Sequence, residues 1–178
     1  MKIEHWQDRS THPRHMYDWG NLLGVCGGEY RGAIGLIEHC DTSRKAQPLR
    51  VNPGTRAPPR PEELFAFKST PPPTTSAKHP DVKHPGLWIH ANDARMSRDI
   101  DLLNLNAKHL VSNRHAAIQQ MRRALAKNQA RGEASIRDLL RKKLTAATQP
   151  GPNGLPPFAP LIADYIRKKM RTKGMTPP

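Results

Sequence analysis

The sequence predicts an α+β fold, mostly α: a small ββα module suited to a metal ion, a proline-rich connector, and a basic α-helical region. Three observations predict it. Residues 1–55 carry short apolar groups, Leu22-Leu23-Gly24-Val25 and Ile34-Gly35-Leu36-Ile37, separated by glycines, as short strands and turns require. Residues 56–91 hold Pro58-Pro59, Pro61, Pro71-Pro72-Pro73, Pro80 and Pro85, which remove amide donors and disfavour helix in the residues before them. Over residues 92–178 the apolar positions recur every three or four residues, the period of an amphipathic helix.

Within the connector, Glu62-Glu63-Leu64-Phe65-Ala66-Phe67 is the strongly apolar piece and is expected to dock as a strand or short turn. The helical pattern opens with Met96, Ile100 and Leu103. Past Leu105-Asn106 it resumes with Leu110, Val111, Ile118, Met121 and Leu125. Gly132 punctuates it, Ile136, Leu139, Leu140 and Leu144 mark a further helix, and Pro150-Gly151-Pro152-Asn153-Gly154 breaks the chain. Phe158, Leu161, Ile162, Tyr165, Ile166 and Met170 mark a last helix, and no internal repeat is evident.

With 178 residues, 36% hydrophobic and 5% aromatic, the chain suits a small catalytic module with a helical extension rather than one core running end to end. A formal charge of +14 favours a polyanionic partner, DNA or RNA, over neutral small molecules, and DNA is the expected target. From Ala107 onward fifteen basic residues face only Glu133, Asp138 and Asp164, so the helical region is a cation-rich layer. Such residues form a solvated outer face or hold phosphates without reading sequence. No run of about 18 apolar residues is present and no apolar segment follows Met1-Lys2-Ile3-Glu4-His5, so a cytoplasmic protein without a membrane span is expected. Cys26 and Cys40 are too few for a disulfide framework and could be half of a zinc site.

The chemistry is concentrated near the start. Hydrolysing a phosphodiester needs a positioned water, a base for its proton and a cation to offset developing charge. His5 is the candidate base, and Glu4, Asn21 and Asp41 are oxygen donors suited to Mg²⁺ or Mn²⁺. Neighbours on a strand point to opposite faces, so Glu4 and His5 reach one ion only at a strand end or turn. Asp41 would open a helix with Thr42, Ser43 and Arg44 in its first turn, and Arg44 and Lys45 are the candidate phosphate-binding residues. His12, His15, His79, His84, His90, His109 and His115 read as solvent-facing or structural. His39, beside Cys40, is within reach of either metal.

Ile3-Glu4-His5-Trp6, Asp18-Trp19-Gly20-Asn21-Leu22-Leu23, Cys26-Gly27-Gly28, His39-Cys40-Asp41-Thr42-Ser43-Arg44 and Val51-Asn52-Pro53, taken in order, resemble the HNH endonucleases of retron and Septu-type antiphage defence systems. Leu103-Asn104-Leu105-Asn106, followed by Leu110 and Arg114, is similar to the helical part of the same family. The resemblance implies a ββα-metal (His-Me finger) nuclease fused to helices, acting beside an ATPase partner subunit. It implies Glu4 and Asn21 as ion-site residues, His5 as general base, Asp41 as a third ligand, Arg44 at a phosphate-facing position, and Cys26 with Cys40 as one pair of a four-cysteine structural Zn²⁺ site. In the family a Cys-x-x-Cys pair precedes the Glu-His motif, whereas this sequence starts four residues before His5, so an N-terminally incomplete module is expected. Closing the zinc site then needs His39, another histidine or a partner. Arg44-Lys45 stands where the family has Lys-Gly.

No Gly-x-Ser-x-Gly elbow and no P-loop are present, which argues against a serine hydrolase and assigns any ATP dependence to the partner. The competing reading is a non-catalytic basic subunit for nucleic-acid binding or assembly. An RNA-binding, ribosome-associated protein ranks last, because it leaves the ordered Glu4, His5, Asn21 and Asp41 without a role.

Overall fold

The computed structural model describes residues 2–32, 35–45, 47–54, 58–72, 85–152 and 154–176. Its α+β character takes the form of three two-stranded antiparallel sheets and five α-helices among those residues. The chain divides into two compact units, Met1–Val111 and Ser112–Pro178. The sequence reading instead places boundaries at 55 and 91. The difference arises because the segment flanking the connector folds onto the first unit.

In the first unit, β1 (Lys2–His5) pairs with β2 (Leu22–Val25), with Glu4 opposite Leu23 and His5 opposite Leu22. β3 (Glu29–Gly32) pairs with β4 (Gly35–Glu38), and helix α1 (Cys40–Arg44) follows at once. The apolar piece of the connector supplies a 3-10 turn, Pro61–Glu63, and strand β5 (Phe65–Lys68), which pairs with β6 (Trp88–Ala91). Residues 73–84, where the reading expects an extended connector, lie outside the described residues.

Helix α2 (Ala94–Leu102) starts where the carboxylate of Asp93 accepts from the amides of Arg95 and Met96, a cap for otherwise unpaired donors. Its apolar face puts Met96 and Ile100 against Leu64 and Ile89, with Val51, Phe65 and Phe67 packed around them. On the same helix the buried Asp99 accepts from the amides of Arg50 and Val51 and so holds the chain leaving α1. The Leu103-Asn104-Leu105-Asn106 stretch is a turn rather than helix. Asn104 adopts a left-handed backbone (φ 47°) that an amide side chain tolerates, and its Nδ2 donates to the carbonyl of Glu38 at 2.8 Å. The buried Asn106 pairs with Ile89 in both directions at 2.9 Å, acting as a short strand neighbour for β6.

Helix α3 (Lys108–Gln129) runs from the end of the first unit into the second, which also contains α4 (Glu133–Thr148) and α5 (Ala159–Thr172). Gly132, at φ 92°, opens α4 in a conformation that a side chain resists. The second core is Met121 of α3, Ile136, Leu140 and Leu144 of α4, and Ala163, Ile166 and Met170 of α5. All of these except Ala163 are positions that helical periodicity singles out. Glu133, Asp138 and Asp164 pair with Arg137, Arg141 and Lys168, so the three carboxylates leave most of the basic surplus of this unit uncompensated. Among the described residues, no helix is long and apolar enough to cross a membrane.

Candidate metal centre and the adjoining strand end

Cys26 follows β2 directly, His39 lies between β4 and α1, and Cys40 begins α1, so the ends of three elements bring the donors together. The Gly27-Gly28 loop makes the approach possible. Gly28 has φ 74°, and a Cβ there would lie 2.2 Å from Oγ1 of Thr42 and 2.8 Å from the carbonyl of His39. That space is used by the hydrogen bond from the His39 amide to the Gly28 carbonyl at 2.7 Å. Cys40 is held left-handed at φ 52°, a conformation that costs about 1–3 kcal/mol for a residue with a side chain. Its amide bond to the Leu103 carbonyl at 2.7 Å, from the turn after α2, helps keep it there.

The result is a compact donor set. Nδ1 of His39 is 3.7 Å from Sγ of Cys26 and 3.2 Å from Sγ of Cys40, and the three ligand atoms lie within 4.8 Å of one another. Tetrahedral zinc, with bonds of about 2.3 Å to sulfur and about 2.0 Å to nitrogen, holds such atoms about 3.5 Å apart. The group can therefore hold a metal ion, and soft sulfur with imidazole suits zinc. Burial holds the His39 ring below its ordinary pKa and so favours the neutral, ligating form. His109, on the first turn of α3, packs its ring 4.8 Å from that of His39 and stacks on Tyr30 at 4.4 Å. The sequence pairs Cys26 with Cys40. His39 joins them as the third donor, a role its place beside Cys40 already suggests.

The expected catalytic residues meet differently. Glu4 and His5 both line a cavity of about 530 Å³, together with Cys26, Cys40 and Asp41, although they are neighbours on β1. This is possible because β1 ends at His5. The ammonium of Lys2 lies 2.5 Å from the Glu4 carboxylate and 3.6 Å from that of Asp41, so strand and helix address one cation with one carboxylate each. Nε2 of His5 is 2.9 Å from the carbonyl of Met16. A carbonyl only accepts, so Nε2 carries the proton, and the neutral ring keeps its lone pair on Nδ1.

Asn21 and Arg44 face the backbone. Oδ1 of the buried Asn21 accepts from the Gln7 amide at 2.7 Å, while its Nδ2 donates to the carbonyls of Gln7 and His15 at 3.0 Å each. The buried Arg44 donates from Nε to Asp41 at 2.9 Å, from Nη1 to the Trp6 carbonyl at 3.2 Å and from Nη2 to the His5 carbonyl at 2.8 Å. Its planar fork thus ties α1 to the end of β1. Lys45 is exposed just beyond α1. Among the described residues, Cys26, His39 and Cys40 are the only set of three His, Cys, Asp or Glu side chains gathered as ligands, so Glu4, His5 and Asp41 share a cavity without closing on one point. The chain matches no protein-family model, no curated protein and no solved structure.

Proposed function

We propose that the chain is a metal-dependent endonuclease of the HNH type, hydrolysing nucleic-acid phosphodiesters, with DNA as the first candidate. The observation that carries this reading is the gathering of Glu4, His5 and Asp41 around one cavity at the end of a β-hairpin whose last strand residue is tied to a helix by Arg44. The arrangement supports a ββα module. Nδ1 of His5 accepts the proton of the attacking water, while the Met16 carbonyl fixes the ring through Nε2. Glu4 and Asp41 fit Mg²⁺ or Mn²⁺, since both are hard oxygen donors already facing one cation, the Lys2 ammonium. When bound, such an ion offsets charge on the phosphate and the leaving oxygen. Cys26, His39 and Cys40 hold zinc as a structural clamp on the same module. The basic helices hold the phosphate backbone by charge. The sequence resemblance extends the proposal to a cytoplasmic effector of antiphage defence working beside an ATPase subunit.

A second reading, a non-catalytic nucleic-acid-binding or assembly subunit, is favoured by the engagement of the Asn21 side chain with backbone and of the Arg44 guanidinium with Asp41 and two carbonyls, which leaves both committed to structure. Plasmid cleavage with Mg²⁺ or Mn²⁺ separates the two. Nicking that is abolished by EDTA and by His5→Ala supports the nuclease, whereas DNA retarded in a gel but never cut supports the binder.

A further inference from the structure

We propose that the loop between β1 and β2 is a stacking platform for unpaired bases of a single-stranded nucleic acid, with Tyr17 and Trp19 as its rings. Tyr17 is 84% exposed and Trp19 86% exposed, whereas Trp88, in the core of the same unit, is 5% exposed. Two large aromatic side chains standing in water two residues apart need a reason, because large exposed apolar groups mark binding surfaces. The loop that carries them is tied down by hydrogen bonds. The Asn21 amide bonds to Gln7 and His15, the Asp18 carboxylate accepts from Gly20 at 2.8 Å, and 3-10 turns run over Pro13–His15 and Trp19–Asn21. The rings are therefore presented on a pre-ordered backbone, which reduces the ordering cost of binding.

The charge around them selects the partner. Arg9, His12 and Arg14 are exposed on the same loop. Its two carboxylates are engaged within it: Asp8 bonds the hydroxyl and amide of Ser10, and Asp18 faces Nδ1 of His15 at 3.7 Å besides accepting from Gly20. Aromatic rings on the same loop as exposed cations suit a chain of bases and phosphates, and ring faces reach only bases that are not stacked in a duplex. The platform is joined to the candidate base by one bond, since the carbonyl that accepts from His5 belongs to Met16, the neighbour of Tyr17. This names the substrate class for the nuclease reading above and rests on that reading only for the link to cleavage.

The test uses the full chain without added Mg²⁺ or Mn²⁺, where cutting is blocked, with fluorescein-labelled oligothymidylate, oligouridylate and a blunt duplex of equal length. Both single strands are expected to bind more tightly than the duplex and to quench the emission of Trp19. Tyr17→Ala and Trp19→Ala each lower single-strand affinity about tenfold and leave the salt dependence unchanged, since phosphate contacts remain. Tyr17→Phe and Trp19→Phe keep most of the affinity. A preference for only one of the two single strands traces to the 2′-hydroxyl or the thymine methyl and stays within the proposal. Equal binding of single strand and duplex, or alanine variants that bind like the parent, would overturn it, as would ring-dependent capture of a protein with no nucleic-acid binding. The chain also holds Trp6 and Trp88, so quenching present in the parent and lost in the conservative Trp19→Phe variant assigns the contact to Trp19 without a cavity-forming substitution. Ring-dependent binding without Mg²⁺-dependent cutting removes the nuclease reading alone, and cutting that ignores the rings removes the platform alone.

Discussion

The side chain of Asn21 pairs with the backbone of Gln7 in both directions, accepting from its amide at 2.7 Å and donating to its carbonyl at 3.0 Å. With the further bond to His15, this amide closes the loop between β1 and β2 as a strand partner would. Asn21→Ala leaves three backbone groups without their partner and is expected to lower stability by about 2–4 kcal/mol, at about 1 kcal/mol or more each. Asn21→Asp should be nearly as harmful, because a carboxylate cannot donate to two carbonyls. Denaturant unfolding checks both. An aspartate variant with full stability and full metal-dependent activity would instead return Asn21 to a ligand role.

Arg44 gives a second discriminating substitution. Because its guanidinium bonds three acceptors on two elements, Arg44→Lys cannot reproduce the fork, and both Arg44→Lys and Arg44→Ala should lower the melting temperature. A phosphate-binding role would show the opposite pattern, with weaker DNA binding at unchanged stability.

For the cysteine and histidine cluster, elemental analysis of the purified chain is expected to find close to one zinc per chain. Cys26→Ser, His39→Ala and Cys40→Ser should each lower that content, and a chelator should lower the melting temperature of the parent but not of the variants. Full zinc content in all three variants would place the metal elsewhere.

In the helical unit, Leu140→Ala opens a fully buried position between α4 and α5 and should cost about 2–5 kcal/mol, seen as an earlier urea midpoint. Thr145→Ala, at an exposed position on the same helix, serves as the control and should leave the midpoint nearly unchanged.

Asp93 supplies a pH dependence. The hydrogen bond from Arg95, followed by the amides of Met96 and Arg95, holds its carboxyl below the usual range of 3.8. A lowered pKa means the ionised form stabilises the fold. Its contribution is therefore complete above the unfolded value and is lost as the pH falls through the folded one. Asp93→Asn keeps a capping oxygen without the charge, so the stability difference from the parent should be present at neutral pH and vanish in acid. A difference that stays constant with pH would assign the effect to the cap alone.

The sequence by itself determined the elements whose cause is local. Apolar residues at helical spacing mark Met96 and Ile100 in α2, Ile136, Leu140 and Leu144 in α4, and Ile166 and Met170 in α5, because an amphipathic face is a repeat within one short segment. Leu22–Val25 is legible as a strand for the same reason, and Glu4, His5 and Asp41 stand out by residue type. Only the tertiary structure decided which polar groups meet. That His39 joins Cys26 and Cys40 depends on the left-handed backbone at Cys40 and on a hydrogen bond from the Leu103 carbonyl, sixty-odd residues away. Asn21 and Arg44 have side chains that can serve an ion, a phosphate or a peptide group equally well, and residue type does not rank those partners. The nearest unpaired backbone groups, at Gln7, His15, His5 and Trp6, become neighbours only once the hairpin and α1 have formed. The Leu103-Asn104-Leu105-Asn106 stretch likewise continues the apolar spacing of α2. Bonds from Asn104 to Glu38 and from Asn106 to Ile89 support a turn there, a choice made by partners far along the chain.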